Sequence, residues 1–320
     1  MKSTDCWRRK LLSFGMVVSV MLGVVACGSG DGHNRLGDDP AEPWTVTATD
    51  APWLAANPYS DKHDGGWVYS AREDCLYAIY GNDNSGQTLY RIDHINDAST
   101  VATECTYGRH GSHPVIDDTG TYIYLPPSES AAELERYNTE TSELELLATA
   151  PDTGTFSHGA WKNGKLWIVL DDNNLYSYDP DADTWSAAIN DFGSYANVAT
   201  SGPGSNLIYI LVDGGEFYSY DVTTDTVTPL DSHPFGFDLG GNGQLTWFGA
   251  SVGFIYACDG SNGYEPAIYD ISSGTWQALS DPKINDDYNG HATYDSSRRR
   301  LYVAGSTDGI DNEEVWYYQF

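Results

Sequence analysis

Three of the eight histidines share one local pattern, a small residue followed by His: Ser112-His113, Ser157-His158 and Gly290-His291. Imidazole ionises near neutrality, and its neutral nitrogen is a common transition-metal ligand. His113, His158 and His291 could therefore hold a divalent metal, with Asp61, Asp64 or Asp287 as further ligands; the sequence calls for no other cofactor. The alternative chemistry is proton transfer, with a histidine as base and Tyr195 or Tyr288 as acid. Arg109-His110-Gly111-Ser112-His113 is the sharpest segment, because an arginine fork beside histidines can hold a substrate carboxylate. The plainer reading is that each histidine bonds backbone carbonyls at a junction between repeats. No Gly-x-Ser-x-Gly, His-Glu-x-x-His or phosphate-loop motif is present, so the familiar hydrolase and nucleotide mechanisms have no support.

The elements that must position these side chains are strands. From Pro43 onward the chain is a succession of short runs rich in Tyr, Trp, Val, Ile and Thr, broken by Gly, Asp, Asn and Pro. Those runs predict many short antiparallel strands. An aliphatic-aromatic pair recurs every 42 to 47 residues: Leu76-Tyr77, Ile123-Tyr124, Leu166-Trp167, Ile208-Tyr209, Ile255-Tyr256 and Leu301-Tyr302. About ten residues on comes a second motif, as in Tyr178-Asp179, Tyr220-Asp221 and Tyr269-Asp270, with Tyr137-Asn138 and Ile92-Asp93 as weaker copies. Another large residue follows seven positions later, at Trp185, Val227, Trp276 and Leu144, across a turn sequence that predicts a hairpin. Six copies of a four-stranded unit give an all-β, six-bladed propeller. The last repeat stops after its third strand, and Trp44–Asp50 reads like a fourth, so an N-terminal strand is expected to close the last blade.

With Tyr178-Asp-Pro-Asp-Ala-Asp-Thr-Trp185 as the closest match, the repeats over 43–320 resemble kelch-type propellers of the galactose-oxidase kind. The double glycine that normally ends the second kelch strand stands only at Gly214-Gly215, which makes the chain kelch-like. In such a ring the blade-joining segments share one face. Here they are approximately 51–66, 105–113, 150–158, 190–197, 231–243 and 281–291, and they hold His63, His110, His113, His158, His233 and His291. These histidines are expected to converge at the channel mouth. Most of the 23 Tyr and 10 Trp fall at repeat positions and should pack between blades. Trp53, Tyr59, Tyr195 and Tyr288 lie in joining segments and are the candidate ligand contacts. Asp179-Pro-Asp181-Ala-Asp183 mimics a calcium loop but lacks its glycine and distal Glu, and reads as a turn.

Residues 1–26 read as an export signal: Lys2, Arg8, Arg9 and Lys10 precede an apolar run from Leu11 to Ala26, too short for a comfortable membrane span. Val24-Val25-Ala26-Cys27 resembles the bacterial lipobox, which implies cleavage before Cys27 and lipidation (diacylglycerol and a fatty acyl chain such as palmitate) at that residue. Gly28–Glu42 is Gly/Asp-rich and predicts a flexible tether over 27–42. Ser29 at the second position after the cysteine matches the outer-membrane sorting pattern. Export permits a disulfide, with Cys75 and Cys105 as the expected pair.

The formal charge of −30, from 16 basic and 46 acidic residues, opposes nucleic acid and anionic surfaces as partners. The expected function is thus a lipid-anchored envelope protein presenting its channel face to a glycan, peptide or protein partner. The rival is a carbohydrate-active enzyme using His, Tyr and Arg, by analogy with propeller lyases or the kelch-type sialic acid mutarotase.

Overall fold

The structure, a computed structural model, describes residues 46–48, 66–82, 85–93, 98–105, 113–128, 131–154, 158–234, 244–249, 253–258, 266–279, 286–306 and 313–319. The chain divides into units Met1–Arg35 and Leu36–Phe320, and all described strands belong to the second. They form six four-stranded antiparallel sheets, with no helix among the described residues.

Blade one is β2 (Gly66–Ser70), β3 (Cys75–Asn82), β4 (Ser85–Asp93) and β5 (Ala98–Glu104). Blade two is β6 (Val115–Ile116), β7 (Tyr122–Leu125), β8 (Glu135–Asn138) and β9 (Glu143–Leu146). Blade three is β10 (Ala160–Lys162), β11 (Lys165–Val169), β12 (Leu175–Asp179) and β13 (Thr184–Trp185). Blade four is β14 (Ala196–Thr200), β15 (Leu207–Val212), β16 (Phe217–Asp221) and β17 (Thr226–Leu230). Blade five is β18 (Gln244–Phe248), β19 (Phe254–Cys258), β20 (Ala267–Asp270) and β21 (Thr275–Ala278). Blade six is β22 (Asp286–Asp295), β23 (Arg300–Ser306) and β24 (Glu313–Gln319), completed by the N-terminal β1 (Val46–Ala48), which pairs Val46 with Tyr318. The first strand of every blade contacts the first strand of the next, from β2 through β6, β10, β14, β18 and β22 back to β2. The ring is therefore closed around an axis, and the N-terminal strand covers an edge that would otherwise be open.

Each recurring aliphatic-aromatic pair lies on a second strand. The aliphatic members Leu76, Ile123, Leu166, Ile208, Ile255 and Leu301 are all fully buried. Five of their six aromatic partners pack on an aromatic of the following blade: Tyr77 on Tyr137, Tyr124 on Trp161 and Tyr178, Trp167 on Tyr220, Tyr209 on Tyr269, Tyr256 on Tyr318; Tyr302 instead meets Tyr317 of its own blade. Six apolar clusters result, one in each seam between neighbouring blades. Aromatic pairs at offset or tilted geometry add to area burial in such seams.

The outer hairpins follow the seven-residue spacing read from the sequence. Tyr178 faces Trp185, Tyr220 faces Val227, Tyr269 faces Trp276 and Tyr137 faces Leu144 across the strands. The turns are closed by aspartate. Asp179 Oδ1 accepts the Asp181 and Ala182 amides, and Asp221 Oδ1 those of Thr223 and Thr224. The left-handed residue that follows, Asp183 at φ 50° or Asp225 at φ 55°, accepts the hydroxyl of Tyr178 or Tyr220. Two carboxylates of the calcium-like triplet are thus spent on their own hairpin, as its reading as a turn requires.

The seam between blades six and one carries a polar network. Arg298 donates to Asp74 through both terminal nitrogens, at 2.5 and 2.9 Å, and to Asp295 Oδ2 at 2.9 Å. Tyr69 Oη donates to Asp74 Oδ1 at 2.9 Å and lies within hydrogen-bond distance of the Ser297 hydroxyl, also at 2.9 Å. Asp295 is fully buried. Burial pushes its carboxyl up, but the Arg298 amide, the Ser297 hydroxyl and the Arg298 guanidinium more than offset this and hold it below the ordinary carboxylate range.

The expected Cys75–Cys105 disulfide is corrected: Cys75, Cys105 and Cys258 all carry buried thiols. Register explains why. Cys75 pairs with Asp93 at one end of β4, whereas Cys105 follows Glu104, which pairs with Thr88 at the other. Five residues of strand span roughly 17 Å, far beyond the separation of about 4.4–6.8 Å between Cα atoms in a disulfide. Burial pushes the Cys75 thiol up to about 11.

Candidate functional site

The register of the six inner hairpins defines one ring of residues around the axis. On each inner strand one residue stands opposite the strand-two aromatic: Val68, Val115, Ala160, Ala199, Thr246 and Thr293. Two positions earlier, at one mouth of the channel, come Gly66, His113, His158, Asn197, Gln244 and His291. Period-two alternation aims this position and its reference position to the same side of each strand. Two of the patterned histidines thus meet. The His113 and His158 rings stack with centroids 3.4 Å apart at 33°, and both side chains are buried.

Gln244, 1 % exposed, reaches them from blade five. Its Oε1 accepts the Ala292 amide at 3.3 Å, which fixes which end of the side-chain amide faces the axis. Its Nε2 then donates to His113 Nε2 at 3.1 Å and to His158 Nε2 at 3.5 Å. Both imidazoles must present a lone pair at Nε2, which assigns the proton of each neutral ring to Nδ1. The blade-one ring position is a glycine for a steric reason: a Cβ on Gly66 would stand 2.3 Å from His113 Nδ1. The group spans the axis, joining blade five to blades two and three, with neither of which it shares a seam.

Below this group lies a cavity of about 610 Å³, walled by Trp67, Trp161 and Trp247 among others. Lys162 lines it at the far end of β10, four residues beyond His158, or roughly 13 Å along the strand. The Lys162 side chain is buried against blade four and donates from Nζ to the Ser201 and Gly202 carbonyls at 3.3 and 3.2 Å. Burial holds its ammonium below the ordinary lysine range.

The other candidates divide as follows. His291 occupies the sixth-blade ring position by register, opposite Ala304, and Tyr288 lies in the same strand; their side chains fall outside the described residues. His233 does not join the ring, contrary to expectation. Its amide donates to Gly215 O of blade four, and its ring lies edge-on to Trp276 of blade five at 4.9 Å, so its side chain is taken up by the seam between those blades. Tyr195 is 45 % exposed, two residues before Asn197, and its carbonyl accepts the Asp213 amide. Cys27, Trp53, Tyr59, Arg109 and His110 lie outside the described residues.

For a metal, the described residues offer two imidazoles whose Nε2 atoms already face an amide donor. No group of three or more His, Cys, Asp or Glu side chains suited to a metal occurs among them. Sequence reasoning missed Gln244, Asn197 and Lys162. Only the register of the inner hairpins reveals the first two, and Lys162 carries no motif at all.

No protein-family model matches the chain, and no curated protein matches it. Many solved structures resemble it, among them the following two. One, described as the structure of YjhT, has a TM-score of 0.59 and 15 % identity, over 81 % of this chain and 95 % of that one. The other, a protein of unknown function from Bacteroides thetaiotaomicron, has a TM-score of 0.57 and 11 % identity, over 86 % of this chain and 73 % of that one. At these identities the likeness establishes the fold alone: the chain is a six-bladed β-propeller.

Proposed function

We propose that this chain is a lipid-anchored protein of the bacterial envelope, sorted to the outer membrane, whose propeller binds a glycan, peptide or protein partner through its axial channel. The observation that carries the binding reading is the cavity of about 610 Å³ with its three tryptophan walls. That volume lies within the range of small-ligand sites, and indole faces suit sugar rings or apolar side chains. The anchor rests on the signal-like residues 1–26 and Cys27, and the outer-membrane placement on Ser29. A kelch-type ancestry is supported by the Tyr178–Trp185 sequence and by Gly214-Gly215, which both take positive φ, at 90° and 91°.

Binding is favoured over catalysis because the two histidines brought together present Nε2 to Gln244 rather than to the cavity alone. A general base must keep that lone pair available to substrate. Two measurements test the reading. Labelling with radioactive palmitate should mark the chain and be lost in Cys27→Ser, together with its recovery in the membrane fraction. The mature chain should bind members of a neutral glycan and peptide panel without converting them, with binding lost in Trp67→Ala or Trp247→Ala. Turnover of any panel member that disappears in a folded His113→Ala variant would overturn the binding reading in favour of a carbohydrate-active enzyme.

A further inference from the structure

The end of the channel opposite the histidines holds a positive charge with no countercharge among the described residues. Lys162 is 8 % exposed, and no carboxylate lies within ion-pair distance of it among the described residues. Its cross-strand partner Lys165 is the contrast, since it pairs with Asp179 at 3.1 Å in the open. Asp118 also lines the cavity but is exposed and forms no ion pair with Lys162. Burying an unpaired ammonium is costly, and in a chain of formal charge −30 a carboxylate partner would be easy to supply.

An ammonium has three N–H donors. Two are used on the Ser201 and Gly202 carbonyls, which leaves one. Ser201 is 6 % exposed, lines the same cavity, and its Oγ has no hydrogen-bond partner among the described residues. One residue thus contributes both a carbonyl that holds the lysine and an uncommitted hydroxyl. We propose that Lys162 and Ser201 form a carboxylate-binding site at the end of the axial cavity away from His113 and His158. This rests on the reading of that cavity as the ligand site and names one group that its ligand carries.

One remaining N–H and one O–H match the two oxygens of a monoanionic carboxylate, each oxygen taking one charge-assisted hydrogen bond. A phosphate dianion needs more positive charge than a single lysine supplies. The ligand is held by its carboxylate at this end, with its body between Trp67, Trp161 and Trp247.

Acetate tests the carboxylate directly. Thermal unfolding of the mature chain is followed against acetate at constant ionic strength, with inorganic phosphate as the second anion and a neutral glycan as the third probe. Acetate should raise the unfolding temperature of the wild type in a saturable way, and phosphate should not. Lys162→Met should weaken acetate at least tenfold, as loss of a charged hydrogen bond implies. Reductively ¹³C-methylated wild type supplies a readout that needs no variant: the Lys162 methyl resonance should move with acetate. If acetate leaves both the unfolding temperature and that resonance unchanged, or acts equally on Lys162→Met, the proposal fails. Phosphate acting in place of acetate also overturns it. Retained binding of the neutral glycan would leave the cavity reading standing, whereas loss of both arms would sink the two together.

Discussion

Replacing Gln244 by leucine removes the amide that joins three blades at the channel mouth while keeping most of the side-chain volume. Three hydrogen bonds go with it: the two to His113 and His158 Nε2 and the one from Ala292 N. A buried hydrogen bond contributes about 1 kcal/mol net, so the expected loss is about 3 kcal/mol. For a domain stable by roughly 5–15 kcal/mol this is a large fraction, but the propeller should still fold. With a urea dependence of about 3 kcal/mol per molar for a chain this size, the midpoint should fall by about 1 M, read by tryptophan fluorescence. Long-range ¹H–¹⁵N spectra of the wild type should show both rings protonated at Nδ1. In Gln244→Leu that preference should weaken, since its donor is gone. A midpoint shift under about 0.3 M, or wild-type rings protonated at Nε2, would refute the assignment of Gln244 as the shared donor.

The closing seam makes a pH prediction. The folded-state Asp295 carboxyl lies below its unfolded value, so its contribution is complete above the ordinary carboxylate range and is lost as pH falls through the folded value. Acid unfolding of Arg298→Met should therefore begin at higher pH than that of wild type. At neutral pH that variant should lose about 2–3 kcal/mol, because a fully buried carboxylate loses its cation. Gly66→Ala should cost about 1–3 kcal/mol by overpacking, since the new methyl meets His113 Nδ1 at 2.3 Å and the His113 Cα at 2.8 Å. Chemical denaturation reads it, and an unchanged midpoint would show that His113 can move away from the axis at no cost.

Much of this architecture is legible along the chain because repetition writes it six times. An aliphatic-aromatic pair in each second strand fills a seam, so the pairs at Leu76-Tyr77 through Leu301-Tyr302 announce both the blade count and the inter-blade core. The hairpin turns are equally local: an aspartate accepting amides two and three residues on needs only its own segment. The N-terminal closing strand is legible because a missing fourth strand and a matching orphan segment stand at opposite ends of the sequence.

The site is less legible. His113 and His158 could be singled out by type and pattern, but the ring they belong to stands nine residues before the strand-two aromatic at His158 and twelve before it at Asn197 and Gln244. Inner hairpins of different length, tight at Asn163-Gly164 and longer at Gly202–Ser205, shift the count from blade to blade. No fixed spacing could therefore pick out Gln244. Nor could spacing separate His233, which lies in the right class of segment yet packs on Trp276. Cys75 and Cys105 failed as a pair for the same reason, since only the register of β4 shows that they sit at its two ends.

By itself, then, the sequence determined the class, the number of blades, the seams and the closing strand, because each depends on contacts that repeat or stay within one hairpin. The tertiary structure alone decided that two imidazoles from neighbouring blades stack under an amide from a third, and that Lys162 is buried with no carboxylate beside it among the described residues. Those arrangements are made once, across the axis or between unlike blades. Residues far apart in the chain meet there only after the ring has closed.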